Sequence, residues 1–238
     1  EKNYKNGGLD SDTRYSYFEN GQVKIEGHYI DGILDIETKY EYHSNGSLKS
    51  KANFHNNNTT GNAWKWYANG QMRVEAHFIN GVPNGKMTVW YENGQISEKT
   101  NFKDGKKSGI TTTWYENGRK SKEGRYRDDD YIGVWIDWYE NGQKEREETF
   151  VYGKTETITT HWNGYGQFIG HEEYNGDKKN GKRTYRDENG QIIFIENYKD
   201  GNLVGTLSYS YYSNGQKMQE MGYQNSNLVS AKHWYENG

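Results

Sequence analysis

A chain of 238 residues that is only 31% hydrophobic, with a mean hydropathy of −1.25, lacks the apolar content of an ordinary compact core. Yet its 22 Tyr, 8 Trp and 7 Phe far exceed what disordered chains carry, so rings are what folding can bury. A net charge of −3 with no long basic run argues against a nucleic-acid partner; the lack of cysteine excludes disulfides, zinc thiolate sites and a thiol nucleophile, and no apolar stretch reaches transmembrane length.

The chain enters in what reads as the second strand of a hairpin, with Tyr4 standing where Phe102 stands further on. From there an Asn-Gly pair recurs. Its glycines are Gly21, Gly46, Gly70, Gly94, Gly118, Gly142, Gly166, Gly190, Gly215 and Gly238, spaced by 23 to 25 residues and mostly by 24. Each of these anchors follows Asn, except Gly166, which follows Tyr165. A fixed period over the whole length is the mark of a repeat architecture. Residues 1–238 therefore read as a single repeat array, and the cut in mid-turn at Gly238 leads us to expect a longer protein.

The fourth repeat, 85–104, shows the unit. A run of β-branched and aromatic residues ends in Trp90-Tyr91, Glu92-Asn93-Gly94 makes a turn, an alternating run leads to Phe102, and Asp104-Gly105 makes the next turn. Two such runs joined by a short Asn-Gly loop predict a β-hairpin. Three columns are mostly apolar. Four before the anchor stand Trp or Tyr, as at Trp66, Trp90 and Trp114; two after it stand residues such as Met72 and Ile96; eight after it stand Phe or Tyr, as at Phe54, Phe78 and Phe102. A three-residue loop with Gly94 left-handed at a bulge pairs Trp90 with Ile96, and is expected to bring all three columns to one face. The sheet is then expected to curl until the Trp ladder meets the Phe/Tyr ladder. Gly27, Ala52, Ala76, Thr100 and Gly124, six after their anchors, would allow that approach. The predicted fold is all-β: an elongated, curled antiparallel meander of about ten tandem β-hairpin repeats.

Further along, Asp128-Asp129-Asp130 replaces the Asp-Gly turn, the seventh repeat reads Asn163-Gly164-Tyr165-Gly166, and the eighth has Arg186-Asp187 where Trp-Tyr is expected, which suggests a longer loop. These are the predicted irregularities.

Tyr-Glu-Asn-Gly-Gln at 91–95, the aromatic-to-Asp-Gly stretch at 102–105 and the Gly-x-x-x-Gly spacing at 81–85, 105–109 and 201–205 resemble the MORN-repeat variant family, which includes YwqK-like antitoxin proteins. The resemblance covers essentially the whole chain. It implies a MORN-like hairpin array that binds proteins or membrane lipids and carries no catalytic residues.

No constellation of residues points to chemistry. The seven histidines are scattered over different repeats. Glu26, Glu75, Glu123, Glu147 and Glu220 form a column five after the anchor that reads as cross-strand pairing with Lys rather than as paired catalytic acids. No metal or other cofactor is expected. An asymmetry supplies the candidate site: six before the anchor stand Tyr15, Tyr40 and Trp64 in the first three repeats, where the middle repeats carry mostly Thr. This column has the parity of the Trp ladder and could offer an aromatic strip for a partner. Trp135, off the usual columns, is a second exposed-aromatic candidate. The leading reading is a non-enzymatic bacterial scaffold for a protein partner. The alternatives are an antitoxin or immunity protein that neutralises a toxin, and a cell-envelope module that binds carbohydrate or lipid. The compartment stays open, with the bacterial surface, periplasm or exterior preferred over the cytoplasm.

Overall fold

The computed structural model of the protein describes residues 2–5, 8–150, 156–176 and 178–236, and among them every regular element is a β-strand. The chain divides into two units, Glu1–Arg119 with Tyr126–Asp130, and Lys120–Arg125 with Tyr131–Gly238. The first holds β1 (Lys2–Lys5), β2 (Gly8–Tyr17), β3 (Val23–Ile30), β4 (Ile33–Tyr42), β5 (Leu48–His55), β6 (Asn58–Trp66), β7 (Met72–Ile79), β8 (Val82–Trp90), β9 (Ile96–Lys103), β10 (Lys106–Lys107) and β11 (Gly109–Trp114). Strand β12 (Lys120–Arg127) falls on the division. The second unit continues with β13 (Asp130–Trp138), β14 (Lys144–Phe150), β15 (Glu156–Trp162), β16 (Phe168–Asn175) and β17 (Lys178–Lys179), then β18 (Gly181–Arg186), β19 (Ile192–Lys199), β20 (Asn202–Tyr211), β21 (Lys217–Gln224) and β22 (Asn227–His233). In each unit the strands of each hairpin pair antiparallel, as a meander does; β10 and β11 both pair with β9, and β18 to β22 form a five-stranded sheet of their own.

Two turn types alternate. At the anchors a three-residue loop closes with the same two backbone bonds from Gly21 to Gly215. In the fourth repeat Tyr91 N donates to Gln95 O at 2.8 Å and Gly94 N to Tyr91 O at 3.0 Å. Gly94 has φ +86°, a conformation an L side chain resists, so glycine belongs there. The eighth repeat, expected to need a longer loop, closes identically through Asp187 N to Gln191 O and Gly190 N to Asp187 O. At the opposite edge, two-residue turns put both central residues at positive φ, as at Asp104 (51°) and Gly105 (83°), which is the turn whose twist suits a hairpin. Asp128 and Asp129 adopt the same turn at 53° and 74°. Asp tolerates this region because its short side chain can bond locally.

The side chains of the turns explain the repeat motif. The Asn before the anchor accepts from the amide two residues on, as from Gln95 N to Asn93 Oδ1 at 2.9 Å, and its Nδ2 donates to a carbonyl one repeat on, Glu116 O, at 3.2 Å. The Tyr three before the anchor reaches forward too: Tyr67 Oη donates to Trp90 O at 2.8 Å and Tyr91 Oη to Trp114 O at 2.6 Å. At the other edge the bonds run backwards, from Gly81 N to Thr59 O and from Gly105 N to Pro83 O. Among the described residues, repeats are thus stitched to their neighbours at both edges.

The register is the predicted one, with Trp90 opposite Ile96, but the three columns do not share a face. The register shifts between Val89 and Trp90, so that Val89 pairs with Glu98 and two residues, Ile96 and Ser97, stand against Trp90. That bulge turns the strand over by one residue. One face then carries the columns four and six before the anchor together with two and five after it. We call this the tryptophan face; contacts such as Trp162–Phe168 and Lys99 over Trp114 lie on it. The other, the phenylalanine–tyrosine face, carries the columns four, six and eight after the anchor and five and seven before it, with contacts such as Lys39 over Phe54. The Trp ladder and the Phe/Tyr ladder therefore lie on opposite sides of the sheet. Most buried side chains, among them Ala76, Thr100, Thr111, Trp135, Thr159 and Glu172, belong to the phenylalanine–tyrosine face. The small residues expected to let two ladders meet instead let rings lie flat on this face: Tyr29 crosses Gly27, and the Trp135 indole covers Gly124.

Candidate functional site

Tyr15, Tyr40 and Trp64 lie on β2, β4 and β6 of the first unit, on the tryptophan face as the parity argument requires. Charged residues five after the anchors alternate with them, since Tyr15 pairs with Glu26, Lys51 with both Tyr40 and Trp64, and Trp64 with Glu75. Tyr40 Oη donates to Glu26 at 2.7 Å and Trp64 Nε1 to Glu75 at 3.1 Å. The Lys51 ammonium lies 5.4 Å from the Tyr40 ring and 5.8 Å from that of Trp64, within cation–π range. Burial, with the bond to Glu26 second, raises the Tyr40 pKa, so this phenol stays a donor. The strip is thus a held surface of rings and matched charges. Its open end is Tyr15, 46% exposed, and Tyr17, 58% exposed, which stack 6.4 Å apart. Beyond them, Tyr17, Phe18, Lys24, Tyr42 and His43 line an open groove of about 670 Å³.

Trp135 does not fit the expectation of an exposed aromatic. It is 4% exposed. Its ring packs against Tyr131 at 4.4 Å, its Nε1 donates to Arg125 O at 3.2 Å, and the space it fills exists because residue 124 is glycine. It is a core residue of the second unit.

The column of glutamates five after the anchor is fully engaged. Besides the bonds to Tyr40 and Trp64, Glu123 pairs with Lys120, Glu147 with Lys144, and Glu220 with both Lys217 and Lys232. Bonds to those two lysines lower the Glu220 pKa. Among the described residues no His, Asp and Glu converge as a metal site.

A second charged system was not anticipated. In the second unit the phenylalanine–tyrosine face carries Glu148, Glu172 and Glu196 where the first unit has Gly, Ala or Thr. Lys122 lies 3.7 Å from Asp137, which lies 2.6 Å from Arg146, and Arg146 in turn 3.8 Å from Glu148. Further on, Arg183 bridges Glu172 and Glu196, while Tyr174 donates to Glu172 at 2.5 Å and Tyr185 to Glu196 at 3.0 Å. Burial, then the bond to Glu172, pushes the Tyr174 phenol up to about 12. His161 stands within this system with a buried, unpartnered Nε2. Burial lowers its pKa, with Arg146 and Arg183 adding and Glu172 opposing. The signal for this network was the switch from small residues to Glu six after the anchor. Its three cations and four carboxylates are paired with one another, so its chemistry is that of structural ion pairing.

The model of the MORN repeat variant family matches residues 13–31, 38–56, 60–80, 83–104, 131–152, 179–200 and 201–225. None of the curated proteins compared with the chain matches it. Among solved structures it is similar to that of TcdB2-TccC3-TEV, at 12% identity and a TM-score of 0.25 over 95% of this chain and 14% of that one. It is also similar to TcdB2-TccC3 without its hypervariable C-terminal region, at 11% identity and a TM-score of 0.26 over 87% and 15%. A porin-like protein from Bacteroides uniformis gives 8% identity and a TM-score of 0.23 over 87% and 89%. The chain spans about one seventh of the length of the first two.

Proposed function

This chain belongs to the MORN repeat variant family, a non-enzymatic type of repeat, and on that premise we propose that it is a binding scaffold whose partner is a protein. The observation that carries the proposal is the strip of Tyr15, Tyr40 and Trp64. Part-exposed rings, Tyr40 and Trp64 held by hydrogen bonds and Tyr15 by stacking on Tyr17, with charges interleaved, are what anchor residues of protein interfaces look like, because their ordering cost is met before binding. The turn side chains support the same reading. Asn, Tyr and Gly of the motif are used to hold repeat to repeat, which leaves the faces of the sheet to carry specificity.

The test is co-purification of the intact chain with a partner, compared with a chain bearing Tyr15→Ala, Tyr40→Ala and Trp64→Ala. We expect one stoichiometric protein held by the unmodified chain and lost from the triple variant. A partner that turned out to be an enzyme toxic to the cell, and inhibited in the complex, would make the scaffold an antitoxin. Recovery of envelope glycan or lipid alone would overturn the protein-partner reading. Retention of the protein by the triple variant would remove the strip from it.

A further inference from the structure

The seventh and eighth repeats break the repeat rule on one edge, side by side. Where other anchors follow Asn, Gly166 follows Tyr165, and where every other repeat has Trp or Tyr four before the anchor, the eighth has Arg186. Neither change serves the turns. Asn163 takes over the bonds that Asn makes elsewhere, accepting from Tyr165 N at 3.1 Å and from Gln167 N at 3.0 Å. Gln167 Nε2 then replaces the missing forward bond by donating to Glu188 O at 2.6 Å. In the eighth repeat Asp187 accepts from Asn189 N and Gln191 N. Both loops keep their shape, so turn closure does not account for a tyrosine and an arginine at these positions.

Their consequences are local and specific. Tyr165 projects from the turn at 89% exposure. Arg186, in place of a bulky ring, leaves an open groove of about 440 Å³ between the two turns, lined by Gln167, Phe168, Arg186, Glu188, Asn189 and Gly190. The Arg186 guanidinium lies 5.1 Å from the Phe168 ring, Nη1 donates to Gly190 O at 2.6 Å, and Nε is buried without a partner. A buried donor on a charged group left without an acceptor is costly, and a fold tolerates such a departure from its own pattern mostly at functional positions.

We propose that this groove is a second interaction surface, one that receives an extended acidic segment of a protein partner, with a carboxylate on Arg186. Carboxylate is the acceptor that suits a guanidinium. A segment rather than a free anion is required because the groove is far larger than one carboxylate. Phe168 in the lining and Tyr165, exposed on the same turn as Gln167, offer ring area that a lone anion leaves unused, and the side-chain amide of Asn189 suits a peptide backbone. Exposed Glu188 at the rim confines the acidic group to the Arg186 end. The surface belongs to the second unit and the strip to the first, and its validity is independent of the strip.

The experiment uses the full chain with its arginine Nε labelled with ¹⁵N. The probes are two short synthetic peptides, one with a central Glu flanked by Leu and Tyr, the other identical but with Gln for Glu. The Glu peptide is expected to move the Arg186 Nε–H resonance and to bind at least about tenfold more tightly than the Gln peptide, as a charge-assisted bond predicts. Arg186→Trp and Tyr165→Asn restore what the other repeats carry, so both variants should fold, which circular dichroism checks. Arg186→Trp should abolish binding and Tyr165→Asn weaken it several-fold. The Tyr15/Tyr40/Trp64 triple variant should bind the peptide unchanged, which separates this surface from the strip. Equal binding of the two peptides, full binding by folded Arg186→Trp, or an unmoved Nε–H at millimolar peptide would each overturn the proposal.

Discussion

Replacing Asn93 by Ala tests whether the turn side chains bind one repeat to the next. The substitution removes the acceptor for Gln95 N, now at 2.9 Å, and the donor to Glu116 O, now at 3.2 Å. Neutral hydrogen bonds contribute about 0.5–1.5 kcal/mol each, and these are exposed, so the lower part of the range applies and the loss should be about 1 kcal/mol. Tyr91→Phe removes a half-buried bond of 2.6 Å to Trp114 O and should cost about another 1 kcal/mol. The two meet the same neighbouring repeat and so need not add simply. Because arrays of this kind unfold by nearest-neighbour interfaces, a local probe is needed besides the urea midpoint. Exchange of the Gln95 amide serves: it should speed up several-fold in Asn93→Ala. It should stay slow in Asn93→Asp, which keeps the oxygen and loses only the forward donor. Unchanged Gln95 exchange together with an unmoved midpoint would refute the idea that the turns do the stitching.

Other outcomes follow from the same geometry. Gly124→Ala places a Cβ inside the Trp135 indole and should cost about 1–3 kcal/mol by overpacking, read as a lower Tm and an altered near-ultraviolet signal from Trp. The His161 pKa is held below its ordinary 6.5, so the unfolded state binds more protons as pH drops through that value; the stability His161 contributes is present above pH 6.5 and is lost as pH falls towards the folded-state pKa, an effect that His161→Phe should flatten in urea titrations at successive pH values. Tyr174 runs the other way. Its pKa is pushed up to about 12 from 10, so its contribution is complete below pH 10 and is lost as pH rises towards 12, and Tyr174→Phe should remove one late step from the ultraviolet titration of the tyrosines.

The sequence was most readable where a residue is tied to a backbone conformation. Gly94 had to be left-handed for Trp90 to meet Ile96, and both hold. The facing of the columns was hidden because it depends on a bulge between Val89 and Trp90, and a bulge inserts one residue without any composition of its own. Trp135 was misread for a related reason: its burial depends on Gly124, a strand away, so exposure could not be judged from its own neighbours in sequence. The placement of Tyr15, Tyr40 and Trp64 on the Trp face was legible from parity alone, whereas their alternation with Glu26, Lys51 and Glu75 needed the strand register. Arg186 and Tyr165 stood out as departures from a pattern, but only the structure shows that their loops close normally, which moves them from defects of the fold to candidates for use.

The stitching at the two edges has a bearing on how such a chain changes over generations. Side chains of one turn reach forward to the next repeat, while backbone amides of the opposite turn reach back to the previous one. Repeats whose bonds are described thus present a similar plug at one side, an Asn or a Gln, and a backbone socket at the other. A copied or deleted 24-residue cassette finds matching connectors wherever it lands, so array length can drift by unequal recombination at little structural penalty, and substitutions inside a single cassette, like those at Tyr165 and Arg186, can be tried without disturbing the rest.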